Sequence, residues 1–327
     1  MKKILLIAPE FYSYEEEIIW ALIQKGNSVE YISLYPKNFI YFFLIKILSK
    51  LFQNLELKIY ECMFKYQFKR LKKNSFDYIL VINGETLNSA VISYLKKNYL
   101  NSFGNIILYI WTPVNRYPIL LSTYQYYSKV FSFEERDCLK YNFEFLPNFY
   151  SNIASNYKNI QDIKYDIFFV GQYRKERYLL VETLKKSQNV KCLLYHNRLF
   201  YHIFKFYKRN EYKDIQKSKL IFRPIKREEM YYNMALSKCL LDDTDINQQG
   251  LTQRVFDSLI LQKKLITTNA NVASYDFYNP NNILIIDRNI VNIPVDFFER
   301  DYKKVEIKII EKYSIKNWVD TLLGEER

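Results

Sequence analysis

The sequence predicts an α/β protein with two Rossmann-like halves, each built around a parallel sheet. Short buried strands such as DYILVIN (77–83) and NIILYIW (105–111) recur roughly every 25 to 30 residues, with helical intervals between them. A polar segment without a strong period, residues 151–163, separates the halves, and a second series of strands starts at Tyr165. We therefore expect one domain at 1–150, a linker at 151–163 and a second domain at 164–327.

The first half opens with a strand at 3–8, a helix at about 15–25 that Gly26 ends, and a strand at 28–33. No G-x-G-x-x-G motif follows the first strand, which argues against a dinucleotide cofactor. Open α/β sheets bind ligands beyond the carboxyl ends of their strands. Glu10 and Glu85 each follow a predicted strand, so both are candidate general bases.

Residues 38–73 are basic and aromatic, and they predict one or two amphipathic helices inserted in the first half. Such helices can lie in a membrane interface with their lysines on acidic head groups. The alternative is a helix packed on the core with a solvated basic face. Because the run at 42–48 is more apolar than a one-sided stripe requires, we favour the membrane interpretation. The run LFYHIFKFYKR (199–209) is a second patch of this kind.

The central stretch, residues 239–269, joins a buried strand, a polar loop and a helix start. Gly250 permits a turn conformation, and Thr252 can cap a helix with a buried face of Val255, Phe256, Leu259 and Ile260. Arg254 and Asp257 share the other face. The free N–H groups of such a helix start suit a phosphate, which Arg254 would also bind, and Asp257 could accept from a ribose hydroxyl. The alternative is that Arg254 lies on a solvated face without a ligand.

A second glycine stands at a similar junction, because Gly171 falls between a strand at 166–171 and a helix that runs to about residue 186. The chain has only six glycines, and two of them stand at strand-to-helix turns of the second half. This pattern predicts that two helix N-termini lie near one ligand. The nearby basic side chains could face phosphates or be solvated. The candidate binding residues are Gly171, Arg174, Arg177, Arg223, Gln249, Gly250, Leu251, Thr252, Arg254 and Asp257.

The composition, 49% hydrophobic and 25% charged over 327 residues, is that of a globular protein. The net charge of +13 favours an anionic partner such as a phosphate-bearing substrate, acidic lipid or nucleic acid, although a general bias toward lysine would also produce it. The four cysteines have no metal-type spacing, and neither histidine lies in a nucleophile motif. No run approaches the ~20 apolar residues of a spanning helix. Pro9 comes too early for a signal peptide, so we expect a cytoplasmic protein.

Several motifs resemble a known family of bacterial enzymes. NQQGLTQRVFDSLILQKKLITTN (247–269), YDFYNPNNILIIDRN (275–289) and YSIKNWVDTLL (313–323) look like the lipopolysaccharide and capsule biosynthesis glycosyltransferases related to the CgeB group. YIWTPVNRYP, FSFEERDCLKY, FLPNFY and FFVGQYRKER are similar to other parts of that family. The match covers most of the chain and is weakest at 36–73.

The resemblance implies a GT-B fold, in which two Rossmann-like parallel-sheet domains face each other across a cleft, with the last helix packing back on the first domain. It implies transfer of a sugar from a nucleotide-sugar donor, held by the second domain, to a lipid-linked or oligosaccharide acceptor held by the first. Gly250 and Thr252 would lie at the donor pyrophosphate, which Arg254 would neutralise. We expect no metal and no cofactor, because helix N-termini and arginine can stabilise the leaving diphosphate.

Two motifs depart from the family pattern, at three positions. The family's two glutamates, with seven residues between them, fall on Gln249 and Asp257, and its Trp-Asp pair appears as Trp111 and Thr112. The leading hypothesis is a metal-independent glycosyltransferase, inverting or retaining, peripheral on the inner face of the cell membrane. The alternatives are a non-catalytic subunit of polysaccharide assembly and a single-stranded nucleic-acid binder, although no RNP, KH or helix-turn-helix signature is present.

Overall fold

The computed structural model describes residues 1–36, 55–160, 162–208, 212 and 215–325. The chain divides into two compact units. Unit 1 comprises Met1–Asn148, Asn247–Gly250 and Ile315–Arg327, and unit 2 comprises Phe149–Ile246 and Leu251–Ser314.

Unit 1 contains a six-stranded parallel sheet in the order β2-β1-β3-β4-β5-β6. Its strands are β1 (Lys3–Ala8), β2 (Ser28–Ser33), β3 (Phe76–Ile82), β4 (Leu100–Ile110), β5 (Lys129–Ser132) and β6 (Glu144–Phe145). The central strands are continuous apolar runs, because helices cover a parallel sheet on both faces. The strands predicted from these runs at 3–8 and 28–33 have the predicted bounds.

The helices of unit 1 pack their apolar stripes against this sheet. They are α1 (Tyr14–Gln24), α2 (Leu55–Phe68), α3 (Ser89–Asn98), α4 (Ile119–Thr123), α5 (Glu135–Tyr141) and α11 (Ile315–Leu323). The last of these, α11, packs against α1, and the ring of Trp318 lies edge-on to Tyr109 with 4.7 Å between centroids.

Unit 2 contains a second six-stranded parallel sheet in the order β12-β11-β10-β7-β8-β9. Its strands are β7 (Tyr165–Gln172), β8 (Val190–Tyr195), β9 (Leu220–Ile221), β10 (Ser237–Asp242), β11 (Lys264–Thr267) and β12 (Ile283–Ile285). Its helices are α6 (Lys175–Leu184), α7 (Arg198–Tyr207), α8 (Arg227–Ala235), α9 (Gln253–Leu261) and α10 (Ile307–Lys312). The two parallel sheets that the sequence predicts are therefore both present.

Each sheet has one point where the direction of its strand order reverses. In unit 1 the reversal lies between β1 and β3, and in unit 2 it lies between β7 and β10. At such a point the loops that follow the two strands run to opposite faces and leave a crevice at their carboxyl ends. Ligand sites are therefore expected at these two crevices.

The basic segment at 38–73 is only partly described, since residues 37–54 lie outside the described residues. From residue 55 it forms α2, whose Tyr60, Phe64 and Phe68 are buried in the core while Lys58 and Lys65 are exposed. Of the two interpretations, a core-packed helix with a solvated basic face describes α2. Among the described helices, none combines the length and apolar content that a membrane crossing requires.

Candidate functional site

The buried carboxylate of Asp242 organises the carboxyl edge of the unit 2 sheet. Asp242 ends β10, has no exposed surface, and accepts hydrogen bonds from Thr252 Oγ1 at 2.7 Å and Thr267 Oγ1 at 2.9 Å. Thr244 Oγ1 donates to it at 2.9 Å, and Arg254 Nη1 lies 3.2 Å from its Oδ1. A buried carboxylate needs such partners because its desolvation is expensive. It therefore fixes the start of α9 and the side chain of Arg254.

Arg254 has three further features. Its Nη2 donates to the carbonyl of Val170 at the end of β7, and its guanidinium carbon lies 4.9 Å from the ring centroid of Phe169. Its Nε is buried without a hydrogen-bond partner among the described residues. With 16% of its side chain exposed, Arg254 lies at the junction of β7, β10 and α9 rather than on an open helix face.

A second carboxylate, Asp243, gathers two more arginines at the same edge. Arg177 Nε lies 3.0 Å from Asp243 Oδ2, and Arg288 Nε donates to Asp243 Oδ1 at 2.8 Å. Asp243 is only 4% exposed. Burial lowers the pKa of the Arg177 guanidinium, while the charge of Asp243 opposes that effect and the nearby Arg254 adds to it. Arginine remains charged under such perturbation, so the edge is a network of fixed charges.

Arg174, the N-cap residue of α6, completes this network through a 2.8 Å ion pair with Asp245. Four guanidinium groups thus face three carboxylates at the carboxyl ends of β7, β10 and β12. We call this set the arginine edge, and it consists of Arg174, Arg177, Arg254, Arg288, Asp242, Asp243 and Asp245. The excess of positive charge and the two helix starts beside it suit a ligand with more than one negative charge.

The two glycines are placed differently from the prediction. Gly171 lies within β7, not between strand and helix, and α6 begins later, at Lys175. A Cβ on Gly171 would lie 2.9 Å from the ring of Phe169. The φ of Gly250 is not positive, so the predicted special turn conformation is wrong, but a Cβ there would lie 2.5 Å from the carbonyl oxygen of Phe133. Both positions require glycine for close approach.

Thr252 and Asp257 also correct the predicted picture of α9. Thr252 is the N-cap residue, yet its hydroxyl donates to Asp242 instead of capping the helix. Asp257 is 1% exposed and accepts from the backbone N–H of Ser151 at 2.9 Å and from Tyr231 Oη at 3.0 Å. These two donors belong to the interior of unit 2, so Asp257 lies on the buried side of α9. The prediction that Asp257 and Arg254 share an exposed face of the helix is therefore wrong. Binding of ribose by Asp257 stays a prediction.

Three other predicted residues lie apart from the arginine edge. Leu251 is buried in the apolar core of unit 2. Arg223 is exposed two residues after β9, and among the described residues no ion pair joins it to the edge. Gln249 belongs to unit 1, where its backbone N–H lies 3.1 Å from both carboxylate oxygens of Glu134.

Sequence reasoning missed Asp242, Asp243, Asp245 and Arg288 as site residues. The run DDTD directly after a buried strand was a usable signal, because carboxylates at the end of a parallel strand are at the ligand-binding edge. Arg288 stands just beyond the strand at 283–285, at the same edge, and could have been found in the same way.

The unit 1 crevice carries carboxylates and aromatic rings instead of arginines. Glu10 is exposed in the loop after β1. Glu85, in the loop after β3, accepts hydrogen bonds from Tyr35 Oη and from Asn83 Nδ2, the latter at 3.2 Å. Asn83 Oδ1 in turn accepts from the backbone N–H of Trp111 at 3.3 Å, after β4. These hydrogen bonds join the segments that follow β2, β3 and β4.

The negative charge of Glu85 acts on four buried or partly buried tyrosines, and one of them, Tyr35, donates a hydrogen bond to it. Burial raises the pKa of Tyr35, Tyr60, Tyr117 and Tyr127, and the negative charge of Glu85 contributes to each shift. The hydroxyl of Tyr127 is completely buried behind the crevice, where a Cβ on Gly84 would come within 3.2 Å of it. A phenol that keeps its proton supplies a hydrogen bond to a carboxylate without adding charge, as Tyr35 does for Glu85. The structure therefore holds Glu85 in one orientation at the carboxyl edge of the sheet.

Comparison with known proteins identifies the fold of this chain but does not identify its family. No protein-family model matches the chain, and no curated protein matches it. Among solved structures, it is similar to AviGT4, a glycosyltransferase involved in avilamycin A biosynthesis, with a TM-score of 0.58 and 9% identity over 99% of this chain and 97% of that one.

Two other solved structures have similar folds. Anabaena Alr3699/HepE, in complex with UDP and glucose, has a TM-score of 0.57 and 10% identity over 99% of both chains. The Neisseria meningitidis UDP-GlcNAc 2-epimerase, bound to UDP-GlcNAc, has a TM-score of 0.53 and 13% identity over 99% of both chains. With its two parallel six-stranded sheets, the chain has the GT-B fold, as predicted. Since an epimerase shares this fold, the fold alone does not give the reaction.

Glu134 gives a test of the unit 1 electrostatics. It is 1% exposed, and burial raises its pKa above the ordinary 4.5, although the backbone N–H groups of Gly250 and Gln249 oppose this. A raised carboxyl pKa means that the folded state prefers the protonated form, so this contribution to stability is present below about 4.5 and is lost as the pH rises through the folded pKa. Relative to Glu134→Gln, we expect the wild-type free energy of unfolding to fall as the pH rises above about 4.5.

This prediction is measured by denaturant titration with tryptophan fluorescence, which reports on unit 1 because Trp20, Trp111 and Trp318 all belong to it. Glu135→Gln, at the exposed neighbouring position, is the control and should give a difference that does not change with pH. A wild type that gains stability over Glu134→Gln as the pH rises contradicts the assignment.

Proposed function

We propose that the chain is a glycosyltransferase that moves a sugar from a nucleotide-sugar donor to a growing cell-surface glycan of the lipopolysaccharide, capsule or O-antigen type. The observation that carries this proposal is the arginine edge, which lies at the strand-order reversal of unit 2 and beside the starts of α6 and α9. A diphosphate is the ligand whose charge such a site complements. The three similar structures act on or bind sugars or nucleotide sugars by their own descriptions, which supports the same class of ligand here.

The start of α9 is arranged to receive a phosphate. The side chain of Thr252 is turned to Asp242, so it does not occupy the amide groups of the first turn. Those amides and Arg254 would lie at the donor diphosphate, with Gly250 and Leu251 before them in the chain. Arg174 and Arg177 at the start of α6 would add charge from the neighbouring strand. We therefore propose that the donor site works without a metal ion.

Groups of this chain can account for the bond that breaks, the bond that forms and the proton that moves in this reaction. The bond between the anomeric carbon and the diphosphate oxygen breaks, and the leaving diphosphate keeps the electron pair and is stabilised by Arg254 and the helix starts. The acceptor hydroxyl oxygen forms the new bond to the anomeric carbon. Its proton passes to a base in an inverting enzyme, for which Glu10 and Glu85 are the candidates, or to the leaving group in a retaining one.

Nucleotide binding gives the direct test of the donor site. We expect UDP, GDP, CDP or CMP to raise the melting temperature of the full chain, because a ligand at 100 times its dissociation constant stabilises by about 2.7 kcal/mol. For a domain of this size that is a rise of roughly 5 to 10 °C. Arg254→Ala should abolish the shift, and Arg174→Ala, which changes a side chain that is 41% exposed, should reduce it without threatening the fold.

Arg300→Ala is the matched control, since Arg300 is a unit 2 arginine, 45% exposed and paired with Asp296 away from the arginine edge. It should keep the full shift. If none of the four nucleotides stabilises the protein, or if the Arg174 and Arg300 variants respond alike, the donor site is not where we place it. Transfer of label from the stabilising nucleotide sugar then separates an enzyme from a non-catalytic subunit.

We also propose that the protein works on an acidic membrane surface, and α7 supports this. Leu199, Phe206 and Tyr207 are 48%, 67% and 78% exposed, and Leu199 and Phe206 lie seven residues apart on one face of the helix. Exposed cationic side chains accompany them, namely Arg198, Lys205 and Lys208. Aromatic residues beside lysines fit an interface in which rings enter the acyl boundary and amines meet anionic head groups.

Co-sedimentation with vesicles tests whether α7 binds an acidic membrane surface. We expect the protein to bind vesicles that contain phosphatidylglycerol and not vesicles of phosphatidylcholine alone. Lys205→Gln with Lys208→Gln should weaken this binding by roughly thirtyfold, since each lysine near an anionic surface is worth about 1 kcal/mol. Phe206→Ser with Tyr207→Ser should weaken it as well. Tyr66→Ser, at a 76% exposed position of α2, is the control, and an equal loss in that variant contradicts the role of α7.

A further inference from the structure

The peptide Asn247–Gly250 comes directly before the candidate donor site in the chain. Thr252, the N-cap residue of α9, follows Gly250 after a single residue. The chain belongs to unit 2 up to Ile246 and again from Leu251, but these four residues belong to unit 1. Ordering a short polar peptide costs conformational entropy, so specific contacts must offset that cost. The contacts of this peptide therefore limit where α9 can begin.

Glu134 of unit 1 binds this peptide through two successive backbone N–H groups. Both oxygens of its carboxylate lie 3.1 Å from the backbone nitrogen of Gln249, and the N–H of Gly250 is a second donor. Glu134 is almost completely buried, so these hydrogen bonds form away from bulk water. A buried carboxylate that loses its donors is left with an uncompensated charge. The two hydrogen bonds are therefore harder to break than hydrogen bonds at the surface.

The side chain of Glu134 does not take part in the helix that it begins. Glu134 is the N-cap residue of α5, yet its carboxylate makes no capping hydrogen bond to that helix. An acidic side chain at a helix start ordinarily interacts with the N–H groups of the first turn. The backbone of Glu134 is fixed instead, because its N–H donates to Ser132 Oγ and its carbonyl accepts from Cys138, both at 3.1 Å. The carboxylate is thus directed to the peptide at 247–250.

Two neighbours of Glu134 contact the ends of the same peptide. Arg136 Nη2 donates to the carbonyl of Asn247 at 3.0 Å. At the other end, Gly250 lies so close to Phe133 that a Cβ on Gly250 would come within 2.5 Å of its carbonyl oxygen. Residues 133–136 therefore hold the peptide from its first residue to its last.

We propose that Glu134 is a positioning residue of the donor site, because it holds the peptide from which α9 starts. This inference rests on the proposed function, since it takes the first turn of α9 as the place where the donor diphosphate binds. Glu134 does not touch the donor. By holding Gly250, it limits the positions open to the next residues before a ligand arrives, and a preformed site loses less entropy on binding. The N–H groups of Gln249 and Gly250 then serve this purpose and do not bind a phosphate.

The affinity of the full chain for UDP, GDP, CDP and CMP, measured by titration calorimetry, tests this role. We expect Glu134→Ala to weaken binding of the nucleotide that wild type prefers by roughly tenfold or more, as for the loss of a hydrogen bond to a charged group. Glu134→Gln keeps one acceptor oxygen and should weaken it less. Asp77→Asn is the matched control, since Asp77 is a unit 1 carboxylate that accepts the backbone N–H of Lys3 at 2.6 Å, at the amino end of β3. It should lower the melting temperature and leave nucleotide affinity unchanged.

A second pair of variants decides the question if Glu134→Ala does not fold. Arg136 is exposed, so Arg136→Ala should fold, and it should weaken nucleotide binding by about threefold because the hydrogen bond to Asn247 is lost. Lys140→Ala changes another exposed cation of α5 and is its control, with the affinity of wild type expected.

The results separate this inference from the proposed function. If wild type binds a nucleotide and the Glu134 variants bind it equally tightly, Glu134 does not position the donor site, and the donor site itself stands. If wild type binds none of the four nucleotides, the donor site and this role of Glu134 are both wrong. Equal losses of affinity in the Glu134 and Asp77 variants also contradict the inference, because they would reflect general stability. Should Glu134→Ala not fold, equal binding by the Arg136 and Lys140 variants overturns it.

Discussion

The carboxylate of Asp242 is the interaction on which unit 2 depends. It has no exposed surface, and it binds three threonine hydroxyls and one guanidinium from three separate segments of the chain. A charge buried in this way is tolerated only when its partners are complete, so the carboxylate forces the end of β10, the start of α9 and Arg254 into one arrangement. That arrangement leaves the first turn of α9 without a side-chain cap. The local stability of the edge and its capacity for an anionic ligand therefore have one physical origin.

The two units use the same topology for opposite chemistry. Each has a six-stranded parallel sheet with one reversal of strand order, and each places its polar side chains at the loops of that reversal. In unit 2 these loops supply arginines against a smaller number of aspartates, and in unit 1 they supply glutamates, tyrosines and exposed rings. For the transferase proposed above, the loops of unit 2 would hold the anionic donor.

The fold could be predicted from the sequence because strand and helix periods are local signals. The strands at 3–8 and 28–33 have the predicted bounds. The partners of polar residues are long-range and have no such signal. Phe133 lies so close to Gly250 that only glycine fits there, and Asp257 accepts hydrogen bonds from Ser151 and Tyr231 in the interior. Each of these partners is more than twenty residues away in the sequence. The position of Arg254 at the candidate site could be predicted, but the carboxylate that holds it there could not.

Amide hydrogen exchange of β10 in a double-mutant cycle tests the central role of Asp242 most directly, since the tryptophans all lie in unit 1 and do not report on unit 2. The cycle uses Asp242→Asn, Arg254→Met and the combined variant, with Asp287→Asn as an exposed control. Removing one partner of a buried pair should lower the opening free energy of β10 by about 3–5 kcal/mol, and the two changes should be coupled by about 0.5–3 kcal/mol. Effects that simply add, or an Asp242 variant that behaves like the Asp287 variant, would show that this carboxylate does not hold Arg254 in place.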